Sequence, residues 1–413
     1  MPNPASPSFA QGVAELRASE IRELLKLIDR PEIISFAGGI PDPAFFPLDA
    51  IDNAYKALLA DPAKAREAFQ YSISEGYLPL RQWITGYLQA NEIDAAPERV
   101  LITSGAQQAL DFLGRAFIEP GDAVVMSAPS YLGAIQVFGT FRPRFISVPM
   151  DTDGVVLTEL EAAFRQKPKF CYLTPDFCNP SGVTTSLKRR KAILALAHRY
   201  GVAIIEDCPY EELRYENPRI ASFSALEADY LRQPGNDGRR LAIYVGSLSK
   251  VLTPALRIGW ICGDATLINK LVLLKQASDL HSSTANQIIA DGLARTCHAS
   301  QVAKLRKAYK ERRDAMLAAL EKSFPKDVTW TRPDGGMFIW LEFPESIDAT
   351  ELLAEAIRDI QVAFVPGAAF YANDQKRNTA RLSFSLGEPE RIREGIERLA
   401  ALLHNKLRAN RAA

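Results

Sequence analysis

The sequence predicts an α/β fold in which a large domain, built on a mostly parallel seven-stranded sheet, is joined by a smaller α+β domain. Three observations carry this expectation. Between about Val100 and Gly263, short apolar runs alternate with helical stretches, the pattern of a parallel sheet covered on both faces. After a long helical region the texture changes to a few short strand-like runs and one last amphipathic helix. A chain of 413 residues also exceeds the size of one ordinary domain.

At the N-terminus, ASEIRELLKLI has helical spacing. It is followed by ISFAGGIPDPAFFP, which must be loop because of Pro41, Pro43 and Pro47 and is expected to fold back against the tail. The strand candidates are VLITSG from Val100, AVVMSAP from Ala123, RFISVP from Arg144, FCYLTPD from Phe170, VAIIEDCP from Val202, LAIYVGSLSK from Leu241 and RIGWICG from Arg257. Their near-continuous apolar content marks them as buried on both faces. Crossover helices lie between them, among them AQQALDFLGRAFI and KRRKAILALAHRYG, the second closing on Gly201, which suits a helix C-terminus. A helical region from about Leu267 to Phe324 leads to GGMFIWLEF, a helix from about Thr350 to Arg358, VAFVPG, ARLSFSLG and the final helix. The resulting division is an N-terminal arm with part of the small domain over 1–60, a large domain over 61–300 and a C-terminal small domain over 301–413.

Composition narrows the function. Lys+Arg and Asp+Glu balance at 49 each, which leaves no excess of positive charge to hold nucleic acid or an anionic membrane. Five scattered cysteines form no C-x-x-C pair and no zinc-ligand spacing, and the four histidines do not cluster, so no metal is expected and a reduced, cytoplasmic setting is. The N-terminus lacks a basic stretch leading into an apolar one, and no run of about 18 apolar residues occurs; neither export nor a membrane span is expected. No repeat suggests a solenoid.

Ligands of doubly wound sheets bind beyond the carboxyl ends of the strands, so the residues just past each strand are the candidates for chemistry. Ser104, Gly105, Ala106 and Gln107 open a helix and offer amides and a hydroxyl to an anion such as phosphate, although an ordinary capped turn looks the same. Asn179-Pro180-Ser181-Gly182 follows another strand, Asp207 ends a third and Lys250 follows a fourth. A buried Asp needs a cation, for instance a pyridinium, or a capping task. A lysine there either snorkels outward or is desolvated, as imine chemistry requires. The combination favours imine chemistry.

SLSKVLTPALRIGW resembles the Schiff-base lysine segment of the fold-type-I, pyridoxal-phosphate-dependent aminotransferases of class I/II. YSISEGYLPLR, ITSGAQQALD, APSYLGAIQVF, DFCNPSG, IIEDCPYEELRY, GGMFIWLE, VAFVPGAAFY and ARLSFS follow in the family's order, so the resemblance spans essentially the whole chain. Within the family, ASEIRELLKLIDRPEIISFAGGIPDPAFFP and SDLHSSTANQ look most like the branch acting on 2-aminoadipate, kynurenine and aromatic amino acids.

The resemblance implies that Lys250 holds pyridoxal 5'-phosphate and moves the substrate proton, with Asp207 pairing the pyridine nitrogen. Asn179 and Tyr210 would bond the ring oxygen, and Tyr131 would stack on the ring. Ser104, Gly105, Ala106, Gln107, Ser247, Ser249 and Arg257 would hold the phosphate. Tyr71 would reach the phosphate of a neighbouring subunit, which makes a homodimer with shared sites. Arg381 would fork onto the substrate α-carboxylate, and Gly39 would let backbone approach the substrate or is a plain turn glycine. Arg22 either meets the distal carboxylate of an acidic substrate or is a solvated helix charge. Of the histidines, His281 is expected nearest the site. Departures from the usual pattern are Cys178 before Asn-Pro and Ser181 where threonine is frequent.

The activity implied is ping-pong transamination of an L-amino acid (acidic, aromatic or aliphatic) with a 2-oxo acid, 2-oxoglutarate first among acceptors. A lyase, decarboxylase or racemase on the same scaffold competes with it, because fold does not fix which α-carbon bond breaks. A cofactor-sensing regulator is the non-enzymatic alternative. About 30 residues precede ISFAGG, too few for a winged helix, and no basic patch supports DNA contact.

Overall fold

The computed structural model describes residues 32–233 and 238–412, together with Phe9 and Gly235. A two-residue strand β1 (Ile34–Ser35) precedes helices Leu48–Ala60, Pro62–Ala68 and Leu78–Ala90. The central strands then follow: β2 (Val100–Ser104), β3 (Ala123–Ala128), β4 (Arg144–Asp151), β5 (Gly154–Val155), β6 (Phe170–Leu173), β7 (Ala203–Asp207), β8 (Ala242–Ser247) and β9 (Ile258–Cys262). They form one sheet in the order β2-β9-β8-β7-β6-β3-β4-β5. All seven expected strands are present, and the pairs among β3, β4, β6, β7 and β8 are parallel, while β9 runs antiparallel to both neighbours. The sheet has eight strands rather than seven. The extra strand, β5, pairs antiparallel with the end of β4 and at two residues is too short to leave a periodic signal.

Alternation along the strands builds a core on each face. Phe170 and Tyr172 of β6 point to the helices Ala106–Phe117 and Leu132–Gly139, whereas Cys171 and Leu173 point to Leu157–Phe164 and Leu187–Tyr200. The expectation of burial on both faces fails for β4, where only Val148 is buried. This strand lies near the sheet edge with only β5 beyond it, and both of its faces are only partly covered, Phe145 packing on one core and Ile146 and Val148 on the other. Helix Leu187–Tyr200 begins on a Ser186 hydroxyl that accepts from the Arg189 amide and stops at Gly201 in the left-handed conformation, as its sequence suggests.

Helices Ala265–Gln276, Thr284–Thr296 and His298–Ser323 occupy the long helical region. The tail supplies β10 (Thr329–Trp330), β11 (Phe338–Glu342), β12 (Val362–Ala363), β13 (Val365–Pro366) and β14 (Thr379–Ser383). A four-stranded antiparallel sheet runs β10-β11-β14-β13, and β1 pairs parallel with β12, so the N-terminal segment does return to the tail. The last helix, Pro389–Ala412, packs along His298–Ser323, while Leu48–Ala60 packs on Thr284–Thr296. Among the described residues no helix is long and apolar enough to cross a membrane.

Candidate active site

Strands β2, β3, β6, β7 and β8 deliver their carboxyl ends to one edge of the sheet, and antiparallel β9 starts there. Its register sets Ile258 opposite Ser104 and Gly259 opposite Ser247, which brings Arg257 between the two strand ends. Arg257 Nη2 donates to the Ser104 carbonyl at 3.1 Å, and Ser247 Oγ bonds Ser249 Oγ at 2.9 Å. Gly105 turns the chain into helix Ala106–Phe117 at φ +79°; a Cβ there would stand 2.4 Å from Arg257 Nη2. A helix N-terminus, two serine hydroxyls and a guanidinium thus gather around one turn, donors that could hold a phosphate. Gln107 Nε2 donates to the Gly133 carbonyl at 2.9 Å, and the Tyr131 hydroxyl donates to Gln107 Oε1 at 3.3 Å. Burial raises the Tyr131 hydroxyl to about 12, so it remains a donor.

Beside this seat lie the chemical groups. Lys250 Nζ donates to the Gly39 carbonyl at 3.1 Å and stands 6.0 Å from the Tyr210 ring centre. Burial, followed by the positive charges of Arg381 and Arg257, lowers its pKa to about 8, toward the neutral amine that attacks a carbonyl. Asp207 accepts the Tyr172 hydroxyl on Oδ2 at 2.7 Å, while its Oδ1 is buried without a hydrogen-bond partner. Burial raises this carboxyl to about 6, against the opposing pull of the Tyr172 bond and of Lys250. A carboxylate oxygen left unpaired in a dry site fits a protonated ring nitrogen.

Arg381 crosses from β14 in the small sheet. Its Nη1 donates to Asn179 Oδ1 and its Nη2 to the Ala37 carbonyl, both at 2.9 Å, and its Nε is buried without a partner. The guanidinium lies 4.4 Å from the Phe338 ring centre and 5.1 Å from that of Phe370, and desolvation lowers its pKa to about 10. Among the described residues no carboxylate is recorded in an ion pair with it. A buried guanidinium so placed fits an incoming anion. Asn179 Nδ2 donates to the Tyr210 hydroxyl at 3.4 Å, and burial pushes that hydroxyl well up. A Cβ on Gly39 would sit 3.1 Å from the Phe338 ring and 3.6 Å from Arg381 Nη1, so a side chain here would crowd the approach. The residues therefore fit pyridoxal phosphate in each part: a seat for the phosphate, a partner for the ring nitrogen and a desolvated lysine.

The fold brings most of the expected residues together, with two exceptions. Tyr71 is 79% exposed and is joined to these groups by no recorded hydrogen bond; its ring centre lies 6.0 Å from that of His281 in an edge-to-face contact. Arg22 lies outside the described residues, as does its expected helix. His281 adjoins Ser282, whose hydroxyl is 3.2 Å from Ser104 Oγ, whereas His198, His298 and His404 bond Glu227, Glu212 and the Ser323 carbonyl. Among the described residues no group of three or more metal-binding side chains occurs. The sequence reading missed Tyr172, Phe338 and Phe370. Each sits in an apolar run that reads as core, and only the odd hydroxyl in FCYL hinted at a polar task.

The family profile for aminotransferase class I and II matches residues 40–399. The chain is 42% identical to a 2-aminoadipate transaminase of Thermus thermophilus over 97% of this chain and 98% of the relative. It is 40% identical to an aromatic-amino-acid aminotransferase of Thermococcus litoralis over 97% and 95%. Its structure resembles the kynurenine aminotransferase of Pyrococcus horikoshii with a TM-score of 0.89, at 40% identity and 97% coverage of both chains.

Proposed function

This chain belongs to the class I and II aminotransferases and is a pyridoxal-phosphate-dependent enzyme of fold type I, and from that premise we propose the roles of its residues and its substrates. Bound at the strand edge, the cofactor supplies an electron sink at the α-carbon and a carbonyl that exchanges with the amino group. Lys250 is the attachment point, and its Nζ moves the proton between the amino acid α-carbon and the cofactor. Asp207 keeps the ring nitrogen protonated; its orphaned buried Oδ1 is the observation that carries this reading. Asn179 and Tyr210 hold the ring oxygen, and Tyr131 covers the ring face. Ser104, Gly105, Ala106, Gln107, Ser247, Ser249 and Arg257 form the phosphate seat.

Arg381 clamps the α-carboxylate with Asn179 beside it, and Gly39 leaves the space the substrate backbone needs. Retaining that carboxylate favours removal of the α-proton over decarboxylation. The preferred donors are 2-aminoadipate, glutamate and aromatic or aliphatic L-amino acids, with 2-oxoglutarate as acceptor. Similarity to enzymes named for 2-aminoadipate and for aromatic amino acids supports this range. Arg22 is proposed as the contact for a distal carboxylate.

The working unit is a homodimer, with Tyr71 reaching the partner's phosphate seat. Exposed Leu48, Leu59, Phe69, Tyr71, Ile73 and Leu78 on one stretch of chain support such an interface. We also divide the chain into arm, large domain and small domain at about residues 60 and 300; the pairing of β1 on β12 and the packing of the last helix on His298–Ser323 support an arm that belongs with the tail, whereas helix Leu48–Ala60 packs on Thr284–Thr296. Five free thiols suit a cytoplasmic setting.

The test is a set of single-turnover reactions with individual amino acids, following conversion of the cofactor to its amine form and identifying the product. Conversion by 2-aminoadipate and glutamate that weakens in Arg22→Ala supports the acidic branch. Conversion by aromatic or aliphatic donors alone removes Arg22 from the site. Release of carbon dioxide or an eliminated side chain in place of a 2-oxo acid overturns transamination.

A further inference from the structure

Behind the phosphate turn lies a polar cluster for which the cofactor contacts above give no reason. The Lys275 side chain on helix Ala265–Gln276 is fully buried. Its Nζ donates to both Asp279 carboxylate oxygens at 2.9 and 3.0 Å, to Gln108 Oε1 at 3.0 Å and to Ser282 Oγ at 3.1 Å. Gln108 carries the connection forward: its Oε1 also accepts the Ser104 amide at 2.8 Å, and its Nε2 donates to Asp279 Oδ2 at 2.8 Å. Ser282 Oγ is 3.2 Å from Ser104 Oγ, and Asp279 Oδ2 is 3.5 Å from it.

A carboxylate thus stands one hydroxyl away from a turn that has to receive a phosphate. Like charges at such range repel strongly where water is partly excluded, unless the carboxylate is neutralised. Burying an ammonium is costly in its own right, and desolvation draws the Lys275 pKa down while Asp279 opposes it. The pair therefore has to be explained by what it supports.

We propose that Lys275 is a positioning residue for the cofactor phosphate: it neutralises Asp279 and, through Gln108 and Ser282, fixes the amide and hydroxyl of Ser104. The seat then presents donors to the phosphate rather than a bare carboxylate. This inference rests on the assignment of Ser104 to Gln107 as the phosphate seat.

The experiment titrates apoprotein with pyridoxal phosphate and, separately, with pyridoxal, which has the same ring and carbonyl but no phosphate. Lys275→Met is expected to raise the Kd for pyridoxal phosphate by about tenfold, the effect of one unneutralised charge at this range, while the Kd for pyridoxal stays the same. Adding Asp279→Asn to Lys275→Met recovers most of the loss, because the unpaired carboxylate is gone. Equal weakening of both ligands, or a double variant no better than the single one, overturns the proposal. Should Lys275→Met fail to fold, Asp279→Asn alone tests the same argument: tighter binding of pyridoxal phosphate supports it, and equal or weaker binding refutes it. A wild type that shows no preference for the phosphorylated ligand removes the seat assignment itself. A preference that survives intact in Lys275→Met removes only the role of Lys275.

Discussion

Replacing Asp207 by Asn should stabilise the empty protein at neutral pH while crippling the enzyme. Burial raises the Asp207 carboxyl from 3.8 to about 6. At pH 8 the folded apoprotein therefore holds an ionised carboxylate at a cost of about 3 kcal/mol. Asparagine removes the charge and still accepts the Tyr172 hydroxyl, but it aims an unpaired Nδ2 where the unpaired Oδ1 stood, a penalty of about 1–2 kcal/mol. The net gain at pH 8 is about 1–2 kcal/mol. Because the folded pKa lies above the unfolded one, the stability contributed by protonated Asp207 is full below about pH 4 and is lost as the pH rises through about 6. The ordering of the two apoproteins should therefore cross between these values, with wild type the more stable at acid pH. Urea denaturation of both apoproteins at several pH values from 4 to 8 measures this. Transamination by the loaded variant should fall by roughly 10²–10³-fold, since a preorganised charge at the developing negative centre has been removed. A stability gap independent of pH, or an Asn variant weaker than wild type at pH 8, would refute the argument from an unpaired buried carboxylate.

Arg381→Lys keeps a charge but not the planar fork, so kcat/KM for amino acids should drop by about 10–100-fold with the change mainly in KM; an unchanged KM would take the α-carboxylate away from Arg381. Loading of apoprotein with cofactor requires the neutral Lys250 amine, whose pKa is lowered to about 8. The loading rate should climb about tenfold per pH unit below that value and level off above it, whereas a climb continuing to pH 10 would mean an ordinary, solvated lysine. Gly105→Ala places a Cβ against Arg257 at a left-handed backbone position and should weaken pyridoxal phosphate binding about tenfold or more; equilibrium titration reads this directly, and unaltered binding would mean that the turn does not form the seat.

How much of this was legible in the sequence depends on which signal each residue leaves. The central strands were legible because strands buried on both faces are written as continuous apolar runs, and residues beyond their ends are polar for a reason. Asp207 and Lys250 stand out on that ground alone. Strand β4 misled because its apolar residues suggested two covered faces, while its place near the sheet edge is set by strand order, which composition does not encode. Strand β5 was too short to read. Tyr172 was hidden for the opposite reason: a tyrosine among Phe, Cys and Leu looks like core, and only the neighbouring strand shows that its hydroxyl meets Asp207. Arg381 could be found only through family resemblance, since its approach to Asn179 joins residues 202 positions apart. Within the Lys275 cluster only the i,i+4 spacing of Lys275 and Asp279 is local; the links to Gln108 and Ser104 join residues far apart in sequence and leave no local signal.

Lys250 is the residue whose attachment to the cofactor is tested most directly. Protein loaded with pyridoxal phosphate is reduced with borohydride to make the attachment permanent, then digested and mapped by mass spectrometry. The cofactor mass is expected on Lys250 and is expected to be absent when excess amino donor is added before reduction. A label on another lysine, or no label in protein that has bound the cofactor, would contradict it.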